Sequence, residues 1–251
     1  MSLSRFHLPT EAWQPECLTL FGDEAAHCSR VLRRDVGGQI EIFDGLGRVA
    51  KTTITAITKS SVTTRIDSQH QHEARTHQIH LLPAMIKAEA FEWLLEKAAE
   101  LGAATVRPLI TTRTIVHLSG DNLDKKILKW RRHMVESAKQ CHTPWIPLLA
   151  KPRSIAETLA SLPVDSTRII PALSEHSRRL HELPLAQTKS VFILIGPEGD
   201  FTPEEEALAQ QHGFQPVTLG PLILRAETAA IASLAMVSHE LVRQSAQVCL
   251  A

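Results

Sequence analysis

Hydrophobic and polar residues alternate over short runs in the first part of the chain. Thr, Val and Ile are frequent in these runs, and Gly-Gly, Asp-Gly and Lys-Ser pairs separate them. Short alternating runs between turn residues are typical of β-strands. Strands are predicted at residues 17–21, 38–44, 48–57 and 61–66, with one short helix at residues 23–33. Several short strands in so short a stretch predict a small β-barrel domain over residues 1–72.

Residues 67–77, DSQHQHEARTH, are polar and lack periodicity, which predicts a linker. The histidines in and after this stretch raise the question of a metal site. No cysteine and no patterned carboxylate completes a set of ligands around them. We therefore expect a hydrated connector and no bound metal.

From residue 78 onward, short apolar runs alternate with helical patterns. The apolar runs are almost continuous, and helices are predicted at residues 88–101, 154–161 and 203–212, with Asp121 capping a further long helix. Buried strands that alternate with helices predict a parallel sheet covered on both faces. Residues 73–251 are thus predicted to form an α/β domain. Its ligand site is expected at the carboxyl ends of the strands.

The net charge of the chain is zero, but the charge is unevenly distributed. Residues 107–153 carry ten Lys and Arg against three carboxylates, whereas residues 196–251 carry two Arg against seven carboxylates. A basic middle favours a polyanion partner, although a solvated helix face is an equally good interpretation. The four cysteines form no C-x-x-C pair, and no run of eighteen apolar residues is present. These features predict a soluble protein of the reducing cytoplasm, without a membrane span.

The turn GPEGD at residues 196–200 lies between an apolar run and a helix start. Thr202 is a good N-cap, Pro203 suits the first helical position and Glu205 completes a capping box. Carboxylates crowd this helix start, so a phosphate would be repelled there. A neutral or cationic ligand held by backbone groups fits better. The alternative is a tight surface turn without a ligand.

A second stretch, residues 217–241, also runs from a predicted strand through a Gly-Pro loop into a helix. Arg225, Glu227 and Thr228 cluster where the loop becomes the helix, as a functional site requires. Arg225 could instead form a structural ion pair with Glu227 or Glu198. The helix is rich in Ala and Ser, which permits close approach to a sheet or to a second helix across a dimer interface.

The segments LIGPEGDFTPEE and LGPLILRAETAA together resemble the RsmE family of 16S ribosomal RNA uridine-N3 methyltransferases, which belong to the SPOUT class. Weaker similarities at residues 27–45, 96–111 and 129–147 agree in order along the chain. The resemblance implies a PUA-like β-barrel RNA-binding domain followed by an α/β SPOUT domain with a C-terminal deep trefoil knot. It also implies a cytoplasmic homodimer, S-adenosylmethionine (SAM) as cofactor and 16S rRNA of the 30S subunit as substrate.

The resemblance further assigns roles to individual residues. Arg225 is expected to stabilise charge on the uracil, and Glu227 or Glu198 to position Arg225 or accept the proton. The basic residues expected to contact RNA are Arg30, Arg33, Arg34, Arg131 and Arg132. Leu173, Leu219 and Leu224 are expected to pack against the adenine. The expected cofactor-binding residues are Ala172, Leu173, Ile195, Gly196, Pro197, Glu198, Gly199, Leu219, Gly220, Leu224, Arg225 and Thr228.

The sequence departs from the family pattern at three places. Asp200 replaces the usual second Gly of the turn, Leu222 replaces an Arg, and Thr143 ends a segment that commonly contains a Glu and an Arg. Asp tolerates left-handed backbone better than most residues, so the turn is expected to survive. Two alternatives therefore stay open: a non-catalytic RNA-binding protein on the same fold, and a SPOUT methyltransferase that modifies another RNA position.

Overall fold

The computed structural model describes residues 3–114 and 120–248. The chain divides into two compact units. Unit 1 contains Met1–Ala74 and Val135–Ile146, and unit 2 contains Arg75–Met134 and Pro147–Ala251. The boundary predicted between residues 72 and 73 stays a prediction, while the short segment 135–146 packs with the N-terminal unit.

Unit 1 is built on a five-stranded sheet that forms a half-barrel. The strand order is β1-β3-β4-β5-β2; β1 runs parallel to β3 and the other pairs are antiparallel. Alternate residues such as Leu18 and Leu20 point into one apolar core, as period-2 patterning requires. The strands are β1 (Arg5–His7), β2 (Cys17–Phe21), β3 (Gln39–Phe43), β4 (Arg48–Ile57) and β5 (Ser61–Gln71).

The prediction of a linker at residues 67–77 is wrong for its first residues, because β5 continues to Gln71. Val49 pairs with His70 and Arg48 with Gln71 in the antiparallel ladder between β4 and β5. The sequence pattern does not reveal this strand end, because its side chains are polar and exposed and show no apolar alternation. Backbone hydrogen bonds to β4 hold it without an apolar pattern.

The helix predicted at residues 23–33 is a short α-helix, α1 (Gly22–Ala26), that continues into a π-helical turn, His27–Val31. Arg33 follows with a left-handed φ of 49°. Also in unit 1, Lys139 from the last turns of the helix Gly120–Gln140 forms an ion pair with Glu24 at 2.9 Å. This contact helps to hold the segment 135–146 in unit 1.

Unit 2 contains a six-stranded sheet in the order β13-β11-β12-β6-β7-β9, and every strand pair in it is parallel. A separate parallel pair joins β8 and β10. The strands are β6 (Gln78–Pro83), β7 (Thr105–Val106), β8 (Leu109–Ile110), β9 (Leu148–Leu149), β10 (Arg153–Ser154), β11 (Thr167–Pro171), β12 (Ser190–Ile195) and β13 (Gln215–Val217). The remaining helices are α2 (Ala88–Glu100), α3 (Gly120–Gln140), α4 (Ile155–Ala160), α5 (Pro203–Gln211) and α6 (Ala226–Val248).

Helices cover both faces of this sheet, as the near-continuous apolar strands predict. Phe192 and Leu194 of β12 belong to a core that includes residues of α4 and α5. Helix α6 packs on α2 and on the central strands β6 and β12. Strand residues on both faces are therefore buried, and the prediction of a parallel α/β domain is confirmed.

Two local predictions are corrected. One of the apolar runs predicted to be a buried strand, residues 104–111, is broken into β7 and β8 at Pro108, which has no N–H to donate to a ladder. Asp121 lies inside the first turn of α3 and is not its N-cap, since that helix already includes Gly120.

Within the described ranges, no helix has both the length and the apolar character needed to cross a membrane. The rings of His70 and His72 are in contact, with centroids 4.6 Å apart. Across residues 3–114 and 120–248, however, no group of three or more His, Cys, Asp or Glu side chains could hold a metal ion. Cys17, Cys28 and Cys141 are free thiols, and Cys249 lies outside the described residues.

Candidate cofactor site

Three adjacent strands of the unit 2 sheet end beside one another. β13, β11 and β12 are neighbours and run parallel, so the loops that leave their carboxyl ends meet at one edge of the sheet. These loops begin after Val217, Pro171 and Ile195. They are the three segments in which the sequence predicts ligand-binding residues. Parallel sheets place their ligand sites at such strand ends.

A cavity of about 610 Å³ lies between these loops and helix α5. Its size is in the range of small-molecule sites. The predicted residues that line it are Ala172, Leu173, Ile195, Gly196, Pro197, Glu198, Leu219, Gly220 and Leu224. Gly199, Arg225, Glu227 and Thr228 do not line it, although Leu224 and Ala226 on either side of Arg225 do.

The charged groups of the cavity wall are mostly acidic. Glu198, Asp200 and Glu206 line the cavity with His176, and no Lys or Arg is among the lining residues. The pKa of nearby Glu204 is lowered, first by a hydrogen bond from its own backbone N–H and then by the Thr202 hydroxyl. A carboxylate-lined cavity disfavours phosphate and favours a ligand that carries positive charge.

The loop after β12 is a tight turn with one residue in the left-handed region. Asp200 has a φ of 64°, and its N–H donates to the carbonyl oxygen of Pro197 at 3.0 Å. The Asp200 carboxylate accepts a hydrogen bond from the N–H of Phe201 at 2.9 Å. The substituted residue therefore adopts the conformation in which a glycine is preferred, as the tolerance of Asp for this region predicts.

Helix α5 begins as the sequence predicts. The Thr202 hydroxyl accepts from the N–H of Glu205 at 3.3 Å, and the Glu205 carboxylate accepts from the N–H of Thr202 at 3.0 Å. Pro203 occupies the first helical position. The capping box is thus confirmed, and it fixes where the loop ends and the helix begins.

A second segment holds this loop from the other side. The buried Glu205 carboxylate also accepts hydrogen bonds from the N–H and the hydroxyl of Thr112, at 2.8 and 3.1 Å. Arg113 donates to the carbonyl oxygens of Gly199 and Phe201, at 2.5 and 3.2 Å. The loop conformation is therefore fixed by groups that lie far away in the sequence.

The loop after β13 leaves its apolar side chains exposed. Leu222 and Ile223 are 73% and 90% exposed, and both line the cavity. Gly220 has a φ of 132°, which favours glycine, and its N–H donates to the Thr218 hydroxyl at 3.2 Å. The side chain of Arg225 is exposed. Within the described residues it forms no ion pair with Glu198 or Glu227.

Sequence reasoning missed several residues of the cavity wall. Ser174 and His176 follow Leu173 in the loop after β11, and Glu206 and Gln210 lie on α5. Glu206 and Gln210 are spaced i, i+4, which places them on one face of that helix. Once the helix start is known, this spacing is a signal that could have found them.

The five arginines predicted to contact RNA are all exposed and lie in both units. In unit 1, Arg30 donates to the carbonyl oxygen of Lys59 at 3.0 Å, and Arg34 donates to the Ser4 hydroxyl at 2.6 Å. In unit 2, Arg131 and Arg132 lie on α3. Exposed guanidinium groups can reach phosphates without disturbing the fold.

Known protein families match both parts of the chain. Residues 72–238 match the family described as RNA methyltransferase domain, and residues 21–67 match the RNA methyltransferase PUA domain. The ribosomal RNA small subunit methyltransferase E of Buchnera aphidicola subsp. Schizaphis graminum is 30% identical over 209 residues, which cover 83% of this chain and 84% of that protein.

Two solved structures are similar over almost the whole chain. A Legionella pneumophila protein in complex with the bound cofactor SAM is 32% identical, with a TM-score of 0.87, and the match covers 95% of this chain and 98% of the other. The ribosomal RNA small subunit methyltransferase E of Neisseria gonorrhoeae bound to SAM is 26% identical, with a TM-score of 0.86 and the same coverage of both chains. With its parallel α/β unit and its matching domains, the chain belongs to the RNA methyltransferase family that includes the small subunit methyltransferases E.

Proposed function

We propose that this enzyme uses SAM to methylate N3 of a specific uridine in 16S ribosomal RNA of the small subunit. The observation that carries the proposal is the acidic cavity at the carboxyl ends of β13, β11 and β12. The similar proteins of known structure that bind SAM support the cofactor, and the name of the Buchnera relative supports the ribosomal substrate.

The residues of the cavity fit SAM by their charge and by their apolar side chains. SAM carries a sulfonium cation and no phosphate, so Glu198, Asp200 and Glu206 do not repel it. Leu173, Leu219 and Leu224 are proposed to pack on the adenine. When bound, SAM supplies an electrophilic methyl group.

The backbone groups of the three loops are proposed to orient the cofactor. The residues assigned to it are Ala172, Leu173, Ile195, Gly196, Pro197, Glu198, Gly199, Leu219, Gly220, Leu224, Arg225 and Thr228. Their contribution is alignment, because displacement at a methyl carbon requires the uracil N3 to approach from the side opposite to the sulfur. The loop after β12, which Arg113 holds at Gly199 and Phe201, suits this task.

Arg225 is the proposed catalytic residue. The uracil N3 becomes a nucleophile only as its proton leaves, and negative charge then develops on a uracil carbonyl oxygen. The exposed guanidinium of Arg225, without an ion-pair partner in the described residues, is free to stabilise that charge. Glu227 or Glu198 positions Arg225 or accepts the proton, and the two carboxylates remain alternatives.

Unit 1 and the basic helix α3 are proposed to hold the RNA. Arg30, Arg33, Arg34, Arg131 and Arg132 would contact phosphates, so each loss should reduce the salt dependence of binding. We propose residues 1–72 as a PUA-like barrel domain and residues 73–251 as the SPOUT domain. Because its substrate would be the 30S subunit, we place the enzyme in the cytoplasm.

Two further features are proposed for the C-terminal segment. The chain leaves the edge strand β13 and then packs α6 on the central strands β6 and β12, which supports a deep trefoil knot in that segment. Helix α6 leaves Met236 and Val242 exposed, at 39% and 70%. Exposed apolar residues on a helix rich in alanine support a homodimer through α6, and sedimentation of a Met236→Glu variant would test it.

The test is transfer of labelled methyl from SAM to 30S subunits that lack their own N3-methyluridine. Wild type should label one uridine, and Arg225→Ala should lower kcat by about 10²–10³-fold. Lys189→Ala removes an exposed cation of the same unit and serves as control. Binding of SAM and RNA without label would indicate a non-catalytic RNA-binding protein. Label on a different nucleotide would indicate another target.

A further inference from the structure

The only phenylalanine exposed to solvent lies at the end of an edge strand in unit 1. Phe21 is 64% exposed, whereas Phe6, Phe43, Phe91, Phe192, Phe201 and Phe214 are at most 4% exposed. All seven phenylalanines of the chain lie in the described residues. Strand β2, which Phe21 ends, is the last strand of the half-barrel order. This exposure leaves the face of the Phe21 ring open to a binding partner.

Basic groups lie in the turn beside the end of this strand. Phe21 pairs in the ladder with Ser61, which follows the turn at Lys59 and Ser60. The guanidinium of Arg30 reaches the same turn and donates to the carbonyl oxygen of Lys59 at 3.0 Å. Phe21, Arg30 and Lys59 therefore form one exposed surface at the tip of the β4–β5 hairpin, which we call the Phe21 surface.

The backbone behind the Phe21 surface is unusual. The chain passes from α1 into the π-helical turn His27–Val31 and then places Arg33 at a φ of 49°. π-Turns are rare and frequent at functional sites, and a left-handed arginine is strained. Val31, inside the π-turn, is 68% exposed. The turn thus presents both apolar and cationic groups to solvent.

The charges favour a polyanion as the occupant. Arg30 and Lys59 of the Phe21 surface are exposed, and the exposed Arg33 and Arg34 follow the π-helical turn that contains Arg30. In the same segment of the chain Asp23 and Asp35 are exposed carboxylates, while Glu24 is paired with Lys139. An aromatic ring with cationic neighbours is the combination that binds single-stranded nucleic acid, because the ring stacks on a base and the cations hold the phosphates.

We infer that Phe21 stacks on an unpaired base of the RNA substrate while Arg30 and Lys59 contact the adjacent phosphates. This inference deepens the proposed function, on which it rests, by naming a base contact in unit 1. Stacking of one base contributes to the binding free energy, so Phe21→Ala should lower the affinity for RNA by about 5- to 150-fold. Phe21→Trp should bind at least as tightly as wild type, since the larger ring also stacks.

The experiment compares wild type with Phe21→Ala, Phe21→Leu and Phe21→Trp. Each is titrated with a labelled single-stranded oligouridylate and with 30S subunits, and methyl transfer and SAM affinity are measured in parallel. Phe21→Leu keeps an apolar side chain without a π-face, so it should bind RNA as poorly as Phe21→Ala. Val164→Ala truncates a side chain that is 95% exposed in unit 2 and should bind like wild type. SAM affinity should be the same for all variants.

The outcomes separate this inference from the proposed function. Wild-type affinity in Phe21→Ala would overturn the inference even if methyl transfer is normal. Wild-type affinity of Phe21→Leu for the oligouridylate would overturn stacking. Wild-type affinity of Phe21→Leu for 30S subunits alone would overturn it too, in favour of a hydrophobic contact with a ribosomal protein. Loss of oligouridylate binding in Phe21→Ala would support the inference even if wild type transferred no methyl to 30S subunits.

Discussion

Arg113 holds the carbonyl oxygen of Gly199 through a hydrogen bond of 2.5 Å from its guanidinium. The same nitrogen donates to the carbonyl oxygen of Phe201 at 3.2 Å. Both oxygens lie before the first turn of α5, which begins at Pro203. Arg113 therefore fixes the backbone of the loop that forms one wall of the cavity, although Arg113 itself does not line the cavity.

The first prediction concerns this guanidinium. Arg113→Ala should raise the Kd for SAM by about 5- to 30-fold. The variant loses charged hydrogen bonds that stabilise the loop by about 1–2 kcal/mol, and the loop is then free to adopt other conformations. Titration calorimetry with SAM measures the effect. Lys189→Ala, which removes an exposed cation elsewhere in unit 2, is the matched control. An unchanged Kd in Arg113→Ala would show that the loop keeps its conformation without this contact.

The second prediction concerns the left-handed residue of the same loop. Asp200→Ala loses the hydrogen bond from the Phe201 N–H, while the Cβ stays at a left-handed φ of 64°. It should therefore lower the free energy of unfolding by about 1–2 kcal/mol. Asp200→Gly loses the same bond but adopts the angle freely, so it should stay within about 1 kcal/mol of wild type. Urea unfolding compares them, and equal stability of the two variants would contradict the argument.

The three loops of the site could be predicted because each follows an apolar run that ends at a Gly or Pro. A parallel sheet then brings such ends together without further information. The contact of Arg113 with Gly199 joins residues 86 positions apart, and no local pattern encodes such a pairing. The same holds for the polar end of β5, which is a strand only because β4 lies beside it.

The third prediction concerns Glu205, a buried carboxylate that accepts hydrogen bonds from two segments. Glu205→Ala leaves the N–H groups of Thr112 and Thr202 without this acceptor, which should cost about 2–4 kcal/mol of unfolding free energy. Glu205→Gln keeps one acceptor oxygen and should cost less than half as much. Glu157→Ala removes the equivalent capping-box residue of α4, whose carboxylate accepts hydrogen bonds only from Ser154 among the residues that the structure describes. Equal costs for Glu205→Ala and Glu157→Ala would mean that the bonds to Thr112 contribute nothing.

The last relationship that carries a prediction lies within the unit 2 sheet. His80 stacks on Phe192 with ring centroids 4.4 Å apart, and its Nδ1 lies 2.9 Å from the Thr105 hydroxyl. Burial lowers the pKa of His80 from 6.5 to about 4, and the nearby charge of Arg107 acts in the same direction. The folded protein therefore keeps this imidazole neutral at a pH where the unfolded chain binds a proton.

The sign of the pH dependence follows from this difference. Between pH 6.5 and 4 the unfolded state binds more protons at His80, so the stability from its neutral form is complete above pH 6.5 and is lost as the pH falls through this window. The loss should approach about 3 kcal/mol. His80→Gln cannot titrate, so its unfolding free energy, measured in urea from pH 7 to 4, should fall less steeply than that of wild type. Carboxylates with lowered pKa values, such as Glu92 and Glu240, contribute equally to both proteins and cancel in the comparison. If the unfolding free energies of the two proteins fell equally with pH, His80 would take up a proton in the folded state as readily as in the unfolded chain. The apolar environment beside Phe192 would then not exclude the charge.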